Sequence, residues 1–122
     1  MRESQIEKYL VKRVKELGGE VRKVQWIGRR GAPDRLVMLP SFRLRVTAEM
    51  DDTPKVRAYL NGVQAKIVAA NPNLHGVTVW VELKATGEKP EPHQLREHKR
   101  MRTMGQRVEV IDSIEQVEEL FK

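Results

Sequence analysis

The spacing of apolar residues and helix-ending signals predicts two long helices. Between about residues 3 and 17, four apolar residues fall on one helical stripe: Ile6, Leu10, Val14 and Leu17. Gly18 and Gly19 follow this stripe and provide a left-handed stop. The second long helix is predicted over 92–104, because Pro92 suits a first turn and Gly105 ends the segment.

Four short segments are predicted to be strands. The clearest is Val77–Leu83, whose odd-numbered residues are all apolar and alternate with Thr78, Trp80 and Glu82. The strands on either side of the second long helix should be parallel and joined by a right-handed crossover. After the last strand, Ser113 and Gln116 fit a capping box that opens a final helix. The other three strands are predicted at about Glu20–Trp26, Leu36–Leu39 and Val108–Ile111.

Residues 41–75 form an insertion between the second and third predicted strands. We expect a strand near Phe42–Thr47, an acidic turn, and a helix over about Pro54–Ala70 that Gly62 interrupts. Without this insertion the order is helix, three strands, helix, strand, helix. This α/β order predicts a mixed central sheet flanked by helices.

Length and composition narrow the class of protein. A chain of 122 residues suggests one domain, over residues 1–122. Lys plus Arg number 23 against 17 Asp plus Glu, and the net charge of +6 favours a polyanionic partner. The absence of cysteine excludes disulfides, thiolate zinc sites and thiol nucleophiles. No apolar run is long enough to span a bilayer and the first residues lack a signal-peptide pattern, so we expect a cytoplasmic protein without a membrane partner.

Three acidic residues lie at positions that a purely structural plan does not require. Glu82 interrupts the clearest strand, with Lys84 two residues on along the same face. Asp34 directly precedes another strand, and Glu3 falls on the apolar stripe of the first helix. Taken singly, each has an ordinary explanation: an ion pair, a turn carboxylate, or an acid at the positive end of a helix dipole.

Taken together, these acids indicate a metal site. Two carboxylates at the ends of neighbouring strands can share one hard cation, and Mg²⁺ prefers oxygen ligands of which one or two are carboxylates. A lysine beside them can neutralise charge that develops on a phosphate. The combination suits hydrolysis of a phosphodiester.

Basic residues flank the acids along the sequence, where they either contact phosphates or form a solvated face. The three histidines, in contrast, have no spacing that indicates a shared metal site, and we expect surface or core positions for them. The candidates for DNA contact are Lys23, Arg29, Arg30, Arg35, Arg96, Lys99 and Arg100.

These residues resemble a known family of nucleases. Gly31-x-Pro33-Asp34, then a strand with Glu82-Leu83-Lys84 and a helix with Gln94, resembles the PD-(D/E)-x-K nuclease superfamily. More closely it resembles the virus-type replication-repair nuclease (VRR-NUC) family, whose N-terminal helix contributes a glutamate. The resemblance covers Met1–Pro40 and Val77–Lys122. It implies a restriction-endonuclease-like core; relatives usually have a short turn in place of 41–75.

The resemblance also implies roles for single residues. Asp34 and Glu82 would be metal ligands, with the carbonyl of Leu83 as a third contact. Lys84 would position or activate the attacking water, and Gln94 would hold substrate or Lys84. Glu3 matches the family's helix glutamate best, and Glu7, one turn later, is the alternative.

The implied activity is that of a metal-dependent, structure-specific endonuclease. Mg²⁺ would be the cofactor, with Mn²⁺ able to replace it. Similarity to Holliday-junction resolvases implies branched DNA as the substrate, a role in DNA repair, a homodimer, and action in the cytoplasm of a bacterium or phage-infected host. Two alternatives stay open: a nuclease of low selectivity, and a DNA-binding module without catalysis.

Overall fold

The computed structural model of the protein describes residues 1–122 as an α/β fold. The core elements follow one another in the predicted order, with one helix in the insertion. None of the helices has the length and apolar character needed to cross a bilayer. The elements are α1 (Glu3–Glu16), β1 (Glu20–Lys23), β2 (Arg35–Leu39), α2 (Pro54–Ala70), β3 (Val77–Leu83), α3 (Pro92–Thr103), β4 (Val108–Ile111) and α4 (Ile114–Glu119).

The four strands form one mixed sheet in the order β1-β2-β3-β4. β1 pairs antiparallel with β2, and β2 pairs antiparallel with β3. β3 and β4, which flank α3 in the sequence, are parallel as predicted. The crossover through α3 allows the parallel pairing of β3 and β4, whereas β2 and β3 are antiparallel although α2 lies between them in the sequence.

One face of the sheet carries the apolar core. The predicted stripe of α1 packs on this face with the last helix, and 12 buried residues form a single cluster. Full burial of such side chains contributes about 1.5–3 kcal/mol each, before the cost of ordering the chain. The cluster comprises Ile6, Leu10, Val14, Val37, Leu39, Val79, Val81, Leu83, Ile111, Val117, Leu120 and Phe121.

The opposite face of the sheet meets α3. Because side chains alternate along β3, Trp80 and Glu82 point away from the apolar core and towards this helix. His98 and Met101 of α3 are buried there. The helix that follows β3 thus covers the face on which the candidate acid lies.

β1 is shorter than predicted, since it ends at Lys23 rather than at Trp26. The N–H of Val24 still donates to the carbonyl of Asp34 at 3.0 Å, after which the chain leaves the sheet. The ring of Trp26 instead packs edge-on against Trp80, with ring centroids 6.1 Å apart. Aromatic packing on the sheet face therefore replaces the last part of the predicted strand.

The insertion contains α2 but not the strand predicted at Phe42–Thr47, which was wrong. β2 and β3, which flank the insertion in the sequence, already have strands on both sides, so this segment has no place beside either of them. The N–H of Leu44 donates instead to the buried side chain of Gln64 at 2.7 Å. α2 itself has the predicted bounds and continues through Gly62 without a break.

Candidate active site

Of the two predicted metal ligands, Glu82 lies on β3 and Asp34 lies directly before the neighbouring strand β2. Arg35 of β2 is paired with Val81 of β3, so one step further along the antiparallel register places Asp34 opposite Glu82. Residues that face each other across an antiparallel pair point to the same side of the sheet. The structure therefore brings these two acids together at one end of β2 and β3.

A hydrogen bond to the backbone fixes the carboxylate of Asp34. Its Oδ1 accepts the N–H of Leu83 at 3.0 Å. The carbonyl of the same Asp34 accepts from Val24, so both parts of the residue are bound to flanking strands. One carboxylate oxygen is thereby held in place, and Oδ2 is left for another partner.

Glu82 is buried, with 3% of its surface exposed. Its Oε1 accepts from Nε2 of Gln94 at 3.3 Å and lies 3.5 Å from Nε2 of His98. Gln94 and His98 are one helical turn apart on the inward side of α3, so a single helix orients this carboxylate. The other oxygen, Oε2, has no contact with either residue.

Gln94 has two functions in the structure. Its Oε1 accepts the N–H of Glu91 at 2.8 Å, which satisfies a free donor at the start of α3. Its amide nitrogen is then directed at Glu82. The structure thus places Gln94 against the acid rather than against Lys84, and it also gives the residue its ordinary first-turn function.

The structure separates the two candidates for the helix glutamate. Glu7 forms an ion pair with Arg35 at 2.6 Å. Glu3 is exposed rather than buried on the stripe, and Asp34 and Lys84 both influence its pKa. The N–H of Thr86 donates to the carbonyl of Met1 at 3.0 Å, which ties the start of α1 to the chain after β3. Glu3 is therefore the one beside the two acids.

Lys84 is half-buried directly after β3. Its N–H donates to the carbonyl of Ile111 at 2.9 Å and so extends the pairing of β3 with β4. Its charge lowers the pKa of both Asp34 and Glu82, and it forms no ion pair with either. The ammonium group is thus close enough to influence both acids and remains available for another anion.

Burial and mutual repulsion alter the acidity of the carboxyl groups. Burial and the nearby charge of Asp34 raise the pKa of Glu82 to about 7. Burial is also the main cause that raises the pKa of Asp34, although the Leu83 N–H opposes it. The pKa of Glu3 is raised first by the partial loss of water around its carboxylate and then by the nearby charge of Asp34. Clustered acids with raised pKa values are typical of functional sites and of cation sites in particular.

This donor set fits a hard divalent cation. It offers carboxylate oxygens from Asp34 and Glu82, and Mg²⁺ and Mn²⁺ prefer oxygen ligands of this kind. The repulsion that raises the pKa of Glu82 is relieved when a cation lies between the acids. No group of three or more acidic or histidine side chains surrounds one point, so the protein offers few side-chain ligands. Mg²⁺ commonly binds through one or two carboxylates and keeps several waters.

The structure divides the predicted DNA-contacting cations. Six of them are exposed, and two of these six, Arg29 and Arg100, pair with Glu97. The exposed cations that form no ion pair are Lys23, Arg30, Arg96 and Lys99. Arg35 differs, because only 11% of its side chain is exposed and it is bound to Glu7. Arg35 therefore stabilises the structure around the site and is not on the surface that could contact DNA.

Sequence reasoning did not identify two residues of α3. His98 is fully buried, as a core position predicts, but its contact with Glu82 was not foreseen. Burial and the charge of Arg102 lower the pKa of His98, so its ring is neutral at neutral pH. Glu97 is nearly buried between two arginines. The only signal in the sequence is the spacing of His98, four residues after Gln94 on the same helical side.

Comparison with known proteins gives relatives in sequence and in structure. No protein-family model matches the chain. A protein of Acyrthosiphon pisum secondary endosymbiont phage 1 named "Putative nuclease p44" is 38% identical over 113 residues, covering 93% of this chain and 85% of that protein. A solved structure described as a VRR_NUC domain has a TM-score of 0.64 and 36% identity, and the match covers 98% of this chain and 92% of that one. At this identity and coverage, the likeness extends beyond the fold to the family.

Proposed function

The chain belongs to the VRR-NUC family, and on this premise we propose that it is a metal-dependent endonuclease that hydrolyses phosphodiester bonds of DNA. One observation carries the proposal most directly: Oδ1 of Asp34, directly before β2, accepts the N–H of Leu83, and the charge of Asp34 acts on the neighbouring Glu82 at the same end of the sheet. Lys84 follows directly after β3, two residues beyond Glu82. Two acids and a lysine in this arrangement suit phosphodiester hydrolysis.

Asp34 and Glu82 would hold the metal ion, with the carbonyl of Leu83 as a further contact. The donor set favours Mg²⁺, with Mn²⁺ as a substitute. When bound, the cation supplies positive charge that stabilises the phosphorane-like transition state and neutralises the two acids. The bond from Asp34 to the Leu83 N–H keeps one ligand in place before the ion binds.

The remaining residues position the reacting groups. Lys84 orients the attacking water and offsets negative charge on the phosphate as the bond from water oxygen to phosphorus forms and the ester bond breaks. Gln94 fixes one oxygen of Glu82. Glu3 adds a third carboxylate beside the site, where it accepts a hydrogen bond from a water molecule.

We propose branched DNA as the substrate and a homodimer as the working form. The similarity of small VRR-NUC proteins to Holliday-junction resolvases favours both, because a two-fold dimer presents two active sites to a symmetric junction. The exposed arginines of α3 and of the loop before β2 supply the positive surface that a polyanion needs.

Cleavage of labelled DNA tests the proposal. A four-way junction, a flap and a matched duplex are incubated with wild type and with Lys84→Ala, in Mg²⁺ and in EDTA. We expect wild type to cut the junction fastest, only with metal, and Lys84→Ala to be slower by about 10²-fold or more. If Lys84→Ala cuts as fast as wild type, the catalytic assignment is wrong. Equal cutting of all three DNAs would indicate a nuclease of low selectivity, and binding without cutting a DNA-binding module.

A further inference from the structure

A strongly basic pocket lies between the loop that follows β1 and one side of α3. Its volume is about 470 Å³, and no apolar residue lines it. His93 and Glu97 contribute to its wall. Four arginines surround them: Arg29, Arg30, Arg96 and Arg100.

Glu97 organises two of these arginines. Its Oε1 accepts from Nε of Arg29 at 3.0 Å and lies 3.6 Å from Nη1 of Arg100. Only 7% of the Glu97 side chain is exposed, so the acid lies at the base of the pocket and the guanidinium groups at its mouth. A single buried carboxylate therefore restrains two long side chains that would otherwise be mobile.

The pocket keeps a surplus of positive charge after this pairing. Arg30 and Arg96 are exposed and have no acidic partner. Four arginines against one glutamate leave three positive charges in excess at the pocket. An anion is the expected occupant, and guanidinium groups bind phosphate oxygens in pairs. The lack of an apolar wall argues against a stacked base.

The pocket is separate from the two acids but rigidly connected to them. Gln94 and His98 face Glu82, whereas Arg96, Glu97 and Arg100 occupy the neighbouring side of α3. The loop lies close to the same helix: a Cβ added at Gly31 would be only 3.1 Å from the carbonyl oxygen of His93. Gly31 is three residues before Asp34 along the chain.

We propose that this pocket binds one backbone phosphate of DNA, distinct from the phosphate that is cleaved. Arg96 and Arg100 contact its oxygens from the helix, and Arg29 and Arg30 from the loop. The inference rests on the proposed function, and it adds a fixed point on the strand from which the scissile phosphate is placed at Asp34 and Glu82.

Binding measured without cleavage tests this proposal. Fluorescence anisotropy of a labelled junction is recorded in EDTA, over salt from about 50 to 200 mM, for wild type, Arg96→Gln and Arg100→Gln. The control is Lys66→Gln, which removes an equal charge from an exposed site on α2 outside the pocket. We expect each arginine variant to raise Kd about fivefold to tenfold and to lower the salt slope by about one, and Lys66→Gln to change Kd less than twofold.

The outcomes separate this pocket from the nuclease activity. Equal effects of the arginine variants and of Lys66→Gln would overturn the pocket, even if wild type cleaves DNA. The expected difference together with no cleavage in Mg²⁺ would support the pocket and refute the proposed nuclease. All three substitutions are at exposed positions, so we expect the fold to persist, and thermal unfolding verifies this.

Discussion

Gln94 donates its side-chain amide to Oε1 of Glu82 across 3.3 Å while its own oxygen accepts the N–H of Glu91 at 2.8 Å. One side chain thus begins α3 and orients the buried acid. A reversed amide would direct its NH₂ at the N–H of Glu91, so the two bonds fix each other's direction. The start of this helix is therefore coupled to the geometry of the candidate metal site.

Replacing Gln94 tests this coupling. We expect Gln94→Leu to lower the cleavage rate about 10- to 100-fold, because residues that orient a metal ligand have effects of this size. The metal concentration needed for half-maximal activity should rise as well. Both are measured from initial rates on a labelled junction over a range of Mg²⁺.

Gln116→Leu is the matched control, since the Oε1 of Gln116 accepts the N–H of Asp112 at 2.6 Å near the start of α4. Both variants should lose about 1 kcal/mol of stability. Only Gln94→Leu should also lose activity. Equal activity losses in the two variants would mean that Gln94 acts only as a helix cap.

The pH dependence of stability without metal follows from Glu82. Its pKa is raised from the ordinary 4.5 to about 7, so in this range of pH the folded state holds a proton that the unfolded state releases. Between these values the folded state binds more protons, and stability therefore falls as pH rises from about 4.5 to 7. We expect Glu82→Gln to remove the part of this decline that comes from Glu82 and to be about 1–3 kcal/mol more stable than wild type at pH 8 in EDTA.

Urea unfolding of both proteins at several pH values measures this difference. Added Mg²⁺ should stabilise wild type at pH 8 and leave Glu82→Gln almost unchanged, because the variant lacks one proposed ligand. Asp34 contributes in the same direction in both proteins, so only the difference between them is assigned to Glu82. If the variant is less stable than wild type at every pH, the carboxylate is not under electrostatic strain.

The sequence predicted the elements of this fold well where the local pattern is strong. β3, with its strict alternation, and α2, which begins at Pro54, have the predicted bounds. The strand at Phe42–Thr47 was wrong because a local pattern does not show which partner the backbone will have, and the N–H of Leu44 bonds to the side chain of Gln64 instead of to a strand. Propensity is local, but strand pairing depends on the whole topology.

The site was predictable in part for the same reason. The acids before and on two predicted neighbouring strands, and the resemblance of their motifs to a nuclease family, predicted that Asp34 and Glu82 lie together. The ion-pair partners of the long charged side chains could not be predicted. Arg35 is turned inward to Glu7, and Glu97 joins two arginines that are distant in sequence from one another. Such pairings depend on three-dimensional proximity, which a single sequence does not encode by spacing.

Glu97 provides a test in which net charge and geometry predict opposite results. Glu97→Gln removes one negative charge and so raises the net charge by one, which by charge alone should tighten DNA binding. We expect it instead to weaken binding about threefold to tenfold, since Arg29 and Arg100 lose the acid that holds them in the pocket. Anisotropy in EDTA measures the change. Glu115→Gln, an equal charge change on an exposed residue of α4, should leave binding the same or slightly tighter.

Gly31 is the position at which the loop before Asp34 depends most on the absence of a side chain. Its φ of +96° is unfavourable for other residues, and a Cβ would lie 3.0 Å from Cβ of Glu97 and 3.1 Å from the carbonyl of His93. Gly28, in the same loop, has a φ of +77° but nothing within 4 Å of an added Cβ. Each alanine variant should cost about 1 kcal/mol from backbone strain.

The two glycines therefore separate strain from steric contact. We expect Gly31→Ala to cost about 1–3 kcal/mol more than Gly28→Ala, because either the loop or α3 must move. Since Asp34 follows three residues later, cleavage by Gly31→Ala should fall at least tenfold while Gly28→Ala stays near wild type. Urea unfolding and junction cleavage measure the two effects. Equal losses of stability and of cleavage in both variants would mean that glycine is required only for its backbone angle. That result would refute close packing of this loop against α3 as a determinant of activity.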